Sequence, residues 1–450
     1  MNLVDRHLYI VLFILSSLSI FLFSLTAYNI ERFETNTLIT SYGILFIIFI
    51  LIMFQRITPL IILILGLIFR LIFIISLPEL SQDFYRFIWD GNLQLTKINP
   101  YLYSPNDLII KKELFYLAND LFKGMGSLSN MHFSNYPPIS QWLFKLAAYF
   151  GENNIKNSVV FLRVIILFFE ICNFYILYKI LYFLKLPLKK IGWYFLNPLV
   201  IIELTGNLHG EGIMMFFFLF GILLLYKNKT IQSSLMIAFS VGTKLISLIL
   251  IPLFFKGLGK NKSVLYFGFF MLFFSFLWIP FLDNNFFENY IKTITLWFNR
   301  FEFNGSLYYL IREVGFYIKG YNIILEYGKI TPFILISSIF FFTLIRKNNK
   351  LEKLLLNQLF LLSIYFFIST TVHPWYITSL VILCIFTPYF YPIVWSATIF
   401  LSYSAYTLNG FQENFILILF EYLIVFAVFI FEFFGGENKI FRAFANNSTL

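Results

Sequence analysis

Charge is what this 450-residue chain has least of: Asp, Glu, Lys and Arg together make up 12% of it, against 59% hydrophobic residues. So small a share excludes an ordinary water-soluble domain, in which about a quarter of the residues are charged. Only two cysteines occur, Cys172 and Cys384, both inside apolar runs. They exclude a disulfide framework, have no metal-ligand spacing, and read as core thiols. No small-residue cleavage site follows the first apolar run, Leu8 to Tyr28, and further runs do, so it reads as a retained span rather than a removed leader. Low-complexity linkers, internal repeats and polar stretches long enough for a soluble domain are also missing. Residues 1–450 therefore read as a single integral membrane domain.

What the chain does have is aromatic and aliphatic bulk, including 62 Phe and 28 Tyr. A helix needs about 20 apolar residues to cross roughly 30 Å of hydrocarbon. Such runs recur from Leu8 to Phe434, which predicts an all-α polytopic membrane protein. The 33 Lys and Arg outnumber the 23 Asp and Glu, giving +10. In a soluble protein this excess would raise nucleic acid as a partner. Here the basic residues sit in short loops and read as topology signals instead. Placing Arg6, Arg56, Lys185, Lys189, Lys190, Lys227, Lys229, Arg346, Lys347, Lys350, Lys353, Lys439 and Arg442 in the cytoplasm gives a consistent alternation of spans. The outer segments are then about 29–37, 78–157, 204–211, 282–329, 371–376 and 408–414. A single crossing at 231–255 would invert every later loop, so that segment is expected to be re-entrant, turning at Gly242-Thr243-Lys244 with Pro252 loosening the return. The expectation is about 12 transmembrane helices plus one re-entrant hairpin, with both termini cytoplasmic.

The first large outer loop, 78–157, is too apolar to stand alone and predicts helices lying on the membrane. Over Asp107–Phe122, Ile110, Leu114, Leu117 and Leu121 fall on one helical stripe, with Lys111, Lys112, Asn119 and Asp120 elsewhere. After Pro137-Pro138, a second helix carries Ile139, Trp142, Leu143, Leu146, Ala147 and Phe150, and closes at Gly151.

Charge returns at the start of that loop, in Ser81-Gln82-Asp83-Phe84-Tyr85-Arg86-Phe87-Ile88-Trp89-Asp90-Gly91. As a helix, this places Asp83, Arg86, Asp90 and Gln94 on one face, with Arg86 able to pair Asp90 one turn on. Asp83, nearest the membrane edge, is the candidate general base: partial burial raises a carboxylate toward working pH, while Arg86 limits the shift. Asp90 serves either as support or as part of the chemistry.

Asp-x-Tyr-Arg-Phe-x-Trp-Asp-Gly (83–91), Asn99-Pro100-Tyr101, Asn130-Met131-His132 and Tyr136-Pro137-Pro138, in that order, resemble the first outer loop of GT-C glycosyltransferases. The chain is similar in particular to bacterial polyprenol-phosphate-sugar-dependent mannosyltransferases and to the catalytic subunit of GPI mannosyltransferase I. The likeness continues through Asn197-Pro198, Gly206-Asn207-Leu208-His209-Gly210-Glu211, Gly242-Thr243-Lys244 and His373-Pro374-Trp375-Tyr376. It implies a GT-C-like fold and inverting transfer of a hexose, mannose first, from a polyprenyl-phosphate donor to a glycan or glycolipid acceptor. The site would face the outside of a bacterial inner membrane, with membrane lipids around it and no nucleic acid. Asp83 takes the place of the base. Many relatives carry an acidic pair there, where this chain has Gln82 before Asp83.

Such a transfer needs a base on one face of the sugar and cations or donors that stabilise the departing phosphate on the other. Candidate phosphate contacts are Lys244 at membrane depth, Arg300 and Arg312 in the second outer loop (282–329), His373 and His209. Each has a plainer reading: Lys244 as a structural ion pair, His373 with Trp375 and Tyr376 as part of the aromatic belt, Glu211 and His209 as helix-start capping, and His132 as loop bonding. Tyr136 is a supporting contact, and Trp89 or Trp297 could stack on a sugar. Arg70, Arg163, Glu170 and Glu203 interrupt spans and are expected to pair internally or line a polar cleft. No cofactor is predicted, and only Asp83 with Asp90 bears on a divalent metal. Two rival functions stay open: a lipid-linked glycan ligase or polymerase, and a secondary transporter, which should show inverted repeats.

Overall fold

The computed structural model describes residues 3–110 and 114–435. Lys111, Lys112, Lys439 and Arg442 lie outside the described residues, as do the side chains of Arg6 and Trp297. The described chain is almost wholly helical, with one two-stranded antiparallel hairpin pairing Tyr406–Thr407 with Gly410–Phe411. Seven of its helices are long and apolar enough to cross a membrane: Tyr9–Tyr28, Thr35–Phe54, Ile155–Phe183, Lys260–Phe281, Ile324–Ile345, Leu351–Ile368 and Phe415–Phe434. An eighth candidate is a bent pair, Pro198–Gly206 with Glu211–Tyr226, whose halves meet at 107°. Pro59–Leu71, Leu245–Leu258 and Pro374–Cys384 are apolar but shorter. The protein is a helical membrane protein.

The chain folds into two compact units, one of residues Met1–Leu80, Leu167–Gly212 and His373–Leu450, the other of Ser81–Ile166 and Ile213–Val372. In the first unit the span-interrupting charges are paired as expected. Arg70 donates to Glu170 at 2.8 Å with both side chains fully buried. Tyr194 and Asn173 donate to the other Glu170 oxygen at 2.8 and 3.0 Å. A buried ion survives in apolar surroundings only when its oxygens and protons are all taken up, and this carboxylate has three donors.

In the second unit, helix Asp83–Leu95 packs against helix Pro138–Gly151. Gly91 permits the contact: a Cβ there would stand 2.2 Å from the Phe144 carbonyl oxygen and 3.0 Å from the Ala148 Cβ. The expected apolar stripe on Pro138–Gly151 divides, with Ile139 and Ala147 buried. Leu146 and Phe150 are exposed, and the buried face runs through Gln141, Phe144 and Ala148, because the polar network under Asp90 recruits Gln141.

The expected single helix over Asp107–Phe122 does not form. A helix begins earlier, at Pro105, where Ser104 and Asp107 cap each other reciprocally, and ends at Ile109; another runs from Ala118 to Gly124. Asp107 is thus committed to the cap of a five-residue helix, and the stripe is divided, with Leu117 and Leu121 buried and Ile110 exposed.

Helix Thr230–Thr243 stops where Gly242-Thr243-Lys244 predicted a break. Lys244 is in extended conformation, and the chain resumes as a 3₁₀ helix, Leu245–Phe254, containing Pro252. Here too a glycine sets the approach: a Cβ on Gly242 would meet Leu277 at 2.7 Å and Ile139 at 2.9 Å.

Candidate active site

The chain Asp83, Arg86, Asp90, Gln94 forms one face of its helix, as the spacing predicts. Asp83 opens the helix, half-buried, where the helix dipole favours a carboxylate. One turn on, Arg86 donates from Nε to Asp90 Oδ1 at 2.8 Å and from Nη1 to the backbone oxygens of Ser129 at 2.7 Å and His132 at 2.9 Å. Asp90 is fully buried, and its Oδ2 accepts from Ser134 Oγ and from Gln141 Nε2 at 2.9 Å. Gln94 donates to Gln141. Asp90 thus has three donors and a structural place, whereas Asp83 stands at the accessible end of the same face.

The irregular segment from Ser129 to Tyr136 is clamped almost residue by residue. Besides the Arg86 contacts, Tyr290 donates to the Asn135 carbonyl at 3.3 Å and Tyr101 to that of Tyr136. Tyr101 is itself fully buried among Trp278, Phe281, Phe286 and Tyr290. The motif pieces resembling one another's neighbours in sequence are therefore joined in space: 83–91 and 99–101 both hold 129–136, whose backbone oxygens would otherwise go unsatisfied.

Tyr136 packs edge-on against Phe87 at 5.0 Å, one turn after Asp83, and its ring lies 5.6 Å from Lys244 Nζ. Ser140 Oγ donates to the Thr243 carbonyl at 2.8 Å, fixing the helix break that carries Lys244. Asp83's helix, Tyr136 and half-buried Lys244 are thus brought together. His132 lies beside Arg86 and Lys292; burial first, and these two cations next, hold its imidazole below the usual pKa of 6.5.

Arg312 has another setting. It donates to Glu302 at 2.7 Å and to Glu313 at 2.9 Å, in a group completed by Tyr308 and Asn322. Arg300 is exposed, just past the end of helix Phe286–Asn299. Gln82 is exposed beside Gly126. Among the described residues, no group of three or more His, Cys, Asp or Glu is placed to hold a metal ion.

The other unit carries the remaining candidates. The loop Gly206–Glu211 follows a π-helical turn, Ile201–Gly206, and Leu208 takes a positive φ of 66°. Glu211, buried, begins the next helix. His209 stacks on Trp375 at 3.7 Å, and half-buried His373 stacks on the same indole at 4.3 Å. His209 Nε2 is 3.8 Å from Glu203 Oε2.

The model of a family described as alpha-(1->6)-mannopyranosyltransferase, N-terminal domain, matches residues 33–259. The chain belongs to this family. It is a glycosyltransferase of the mannosyltransferase kind, using a sugar donor and a glycan acceptor, and the transporter reading falls away. Comparison with curated proteins and with solved structures found no match. In this mannosyltransferase the matched stretch contains Asp83, Arg86, Asp90, Tyr136, His209, Glu211 and Lys244; Arg300, Arg312 and His373 lie beyond it.

Sequence reasoning missed Ser134, Gln141, Gly91 and Lys292. Gln141 had a signal: a polar pair, Ser140-Gln141, on the inward side of an otherwise apolar helix. Lys292, on an exposed helix face, had none.

Proposed function

We propose that residues 1–450 act as one inverting GT-C glycosyltransferase that moves mannose from a polyprenyl-phosphate donor to a glycan or glycolipid acceptor at the outer face of a bacterial inner membrane. Asp83 accepts the proton of an acceptor hydroxyl; that oxygen bonds the anomeric carbon as its bond to the phosphate oxygen breaks, and polyprenyl phosphate departs with the electron pair. The leaving phosphate is already stable as an anion, so no general acid is required. Lys244 stabilises it. The observation that carries this reading is the division of labour along one helix face: Asp90 saturated by three donors, Asp83 at the accessible end, one turn before the Phe87 that packs on the Tyr136 ring beside Lys244.

In this reading the seven long helices, the bent pair, Pro59–Leu71 and Pro374–Cys384 cross, with 231–255 entering and leaving on one side around Lys244; the expected count of about 12 needs two crossings more than these ten. Helices of the 78–157 loop, Pro138–Gly151 foremost, then lie in the outer headgroup region, where exposed Leu146, Tyr149 and Phe150 meet lipid. The reading extends the likeness to the catalytic subunit of GPI mannosyltransferase I.

The deciding experiment uses purified Asp83→Asn with a polyprenyl-phosphate mannose donor. Transfer should fall by at least 100-fold, about 2.7 kcal/mol of barrier, with a loss of about 1 kcal/mol or less in unfolding free energy. Full activity in that variant removes Asp83 as the base.

A further inference from the structure

A carboxylate buried in a broken membrane span needs either a proton or a counter-charge. Glu203 is such a group: fully buried, in the π-helical turn Ile201–Gly206 just before the 107° bend. Irregular helical turns of this kind recur at functional sites. Its Oε1 accepts from the Tyr403 hydroxyl at 2.7 Å and its Oε2 from Asn207 Nδ2 at 3.1 Å. Both donors are neutral. The basic group at this carboxylate is His209, whose Nε2 stands 3.8 Å from Oε2 and whose backbone N–H donates to the Glu203 carbonyl at 3.3 Å.

The His209 ring lies nearly parallel to the Trp375 indole, at 3.7 Å and 17°. A charged ring over tryptophan is favoured by the indole's negative face. The His373 ring stacks on that indole too, at 4.3 Å and 6°. Two imidazolium groups on one indole repel, so the site favours charge on one histidine alone. The carboxylate decides which.

We propose that Glu203 is a positioning residue that holds His209 as an imidazolium against Trp375, and that His373 is thereby kept neutral, able both to donate to and to accept from a sugar hydroxyl rather than to pair with phosphate. The sugar contact at His373 rests on the function proposed above; the charge states do not. Titratable and charged groups at this cluster include Tyr403, Tyr42, Glu211 and Tyr376 and, beside Tyr403, Tyr406 and Arg32. Glu211 is a second buried acid beside Glu203.

The chain has four histidines, His7, His132, His209 and His373, so histidine-labelled protein in detergent gives a small set of NMR signals assignable by single His→Gln substitutions. His209 should show the imidazolium shifts at pH 7, and its midpoint should lie above the ordinary value of about 6.5. His373 should be neutral at pH 7. Glu203→Gln keeps one of the two acceptor oxygens that Tyr403 and Asn207 use but removes the charge, and should lower the His209 midpoint by at least one pH unit. Tyr403→Phe removes one donor to Glu203 but keeps the charge and should leave His209 protonated; if Glu203→Gln fails to fold, the charge states of His209 and His373 in the parent protein carry the test. A neutral His209 or a protonated His373 at pH 7 overturns the proposal, and so does a His209 midpoint unmoved by Glu203→Gln. None of these readings needs a transfer assay, so failure here is separate from failure of the proposed reaction.

Discussion

Gln141 donates to Asp90 at 2.9 Å across two helices because the residue next to Asp90 is a glycine. The Phe144 carbonyl oxygen occupies the space within 2.2 Å of where a Gly91 Cβ would stand, and the close approach brings one helix's amide onto the other's carboxylate. Trp-Asp-Gly is thus a single device: the aspartate is the anchor and the glycine is the clearance that lets its partners arrive.

Gly91→Ala should therefore destabilise the protein. Alanine gains about 1 kcal/mol of helix propensity, but overpacking against backbone costs about 1–3 kcal/mol or more, and the backbone atom cannot rotate away. Thermal unfolding should show a net loss. Gly43→Ala is the control, since nothing lies within 4 Å of that position; it should be neutral or slightly stabilising.

Asp83 and Asp90 should separate cleanly. Asp90→Asn leaves the nearly buried Arg86 without its counter-charge and should cost roughly 3–5 kcal/mol in unfolding free energy. Asp83→Asn should cost about 1 kcal/mol or less at the helix terminus, well below the loss in Asp90→Asn, and abolish transfer. Equal unfolding of the two variants would contradict the assignment of Asp90 as support.

Glu170→Leu should be among the most damaging single changes, by roughly 3–5 kcal/mol, because it strands Arg70 in a fully buried site. Adding Arg70→Met should recover a large part of that loss. A double variant no more stable than the single one would show that the other Glu170 partners, Tyr194 and Asn173, carry the cost.

His132 has a folded-state pKa below its unfolded value of about 6.5, from burial and then from Arg86 and Lys292. Folding therefore favours neutral imidazole. The associated stability is present above about pH 6.5 and is lost as pH falls through the lower folded value. Lys292→Gln removes one of the opposing cations and should raise the His132 midpoint, read from its NMR signal. No movement would mean that burial and Arg86 set the shift without Lys292.

Lys244→Gln should lower kcat/KM for the lipid-phosphate donor by roughly 10- to 100-fold, the range for losing a charge-assisted hydrogen bond of about 1.5–3 kcal/mol. Arg312→Gln should instead show its main effect on stability, because Glu302 and Glu313 occupy that guanidinium. The reverse ranking in transfer assays would move the phosphate contact to the second outer loop.

Helix Asp83–Leu95, its Arg86–Asp90 pair and the break at Lys244 were legible from spacing, and that Arg70 and Glu170 pair internally was expected, though not that they pair with each other. Each depends on neighbours along the chain or on the rule that buried charge seeks its opposite. The helix expected over Asp107–Phe122 failed because periodicity gives no weight to a competing cap, and Ser104 with Asp107 closes one two residues earlier. The stripe on Pro138–Gly151 had the right period, with Leu146 and Phe150 exposed and Ile139 and Ala147 buried, but the inward Gln141 that meets Asp90 was not read.

Composition and the lengths of its apolar runs made this a helical membrane protein, and the order of motifs marked Asp83 and its loop, because bilayer thickness and helix periodicity act on local sequence. Tertiary structure decided which of two similar aspartates is saturated, that Arg312 is held by glutamates, and that His209 and His373, 164 positions apart in numbering, stack on one tryptophan. Those outcomes depend on which distant groups reach a given oxygen or ring once the helices pack, and no spacing within a single segment carries that information.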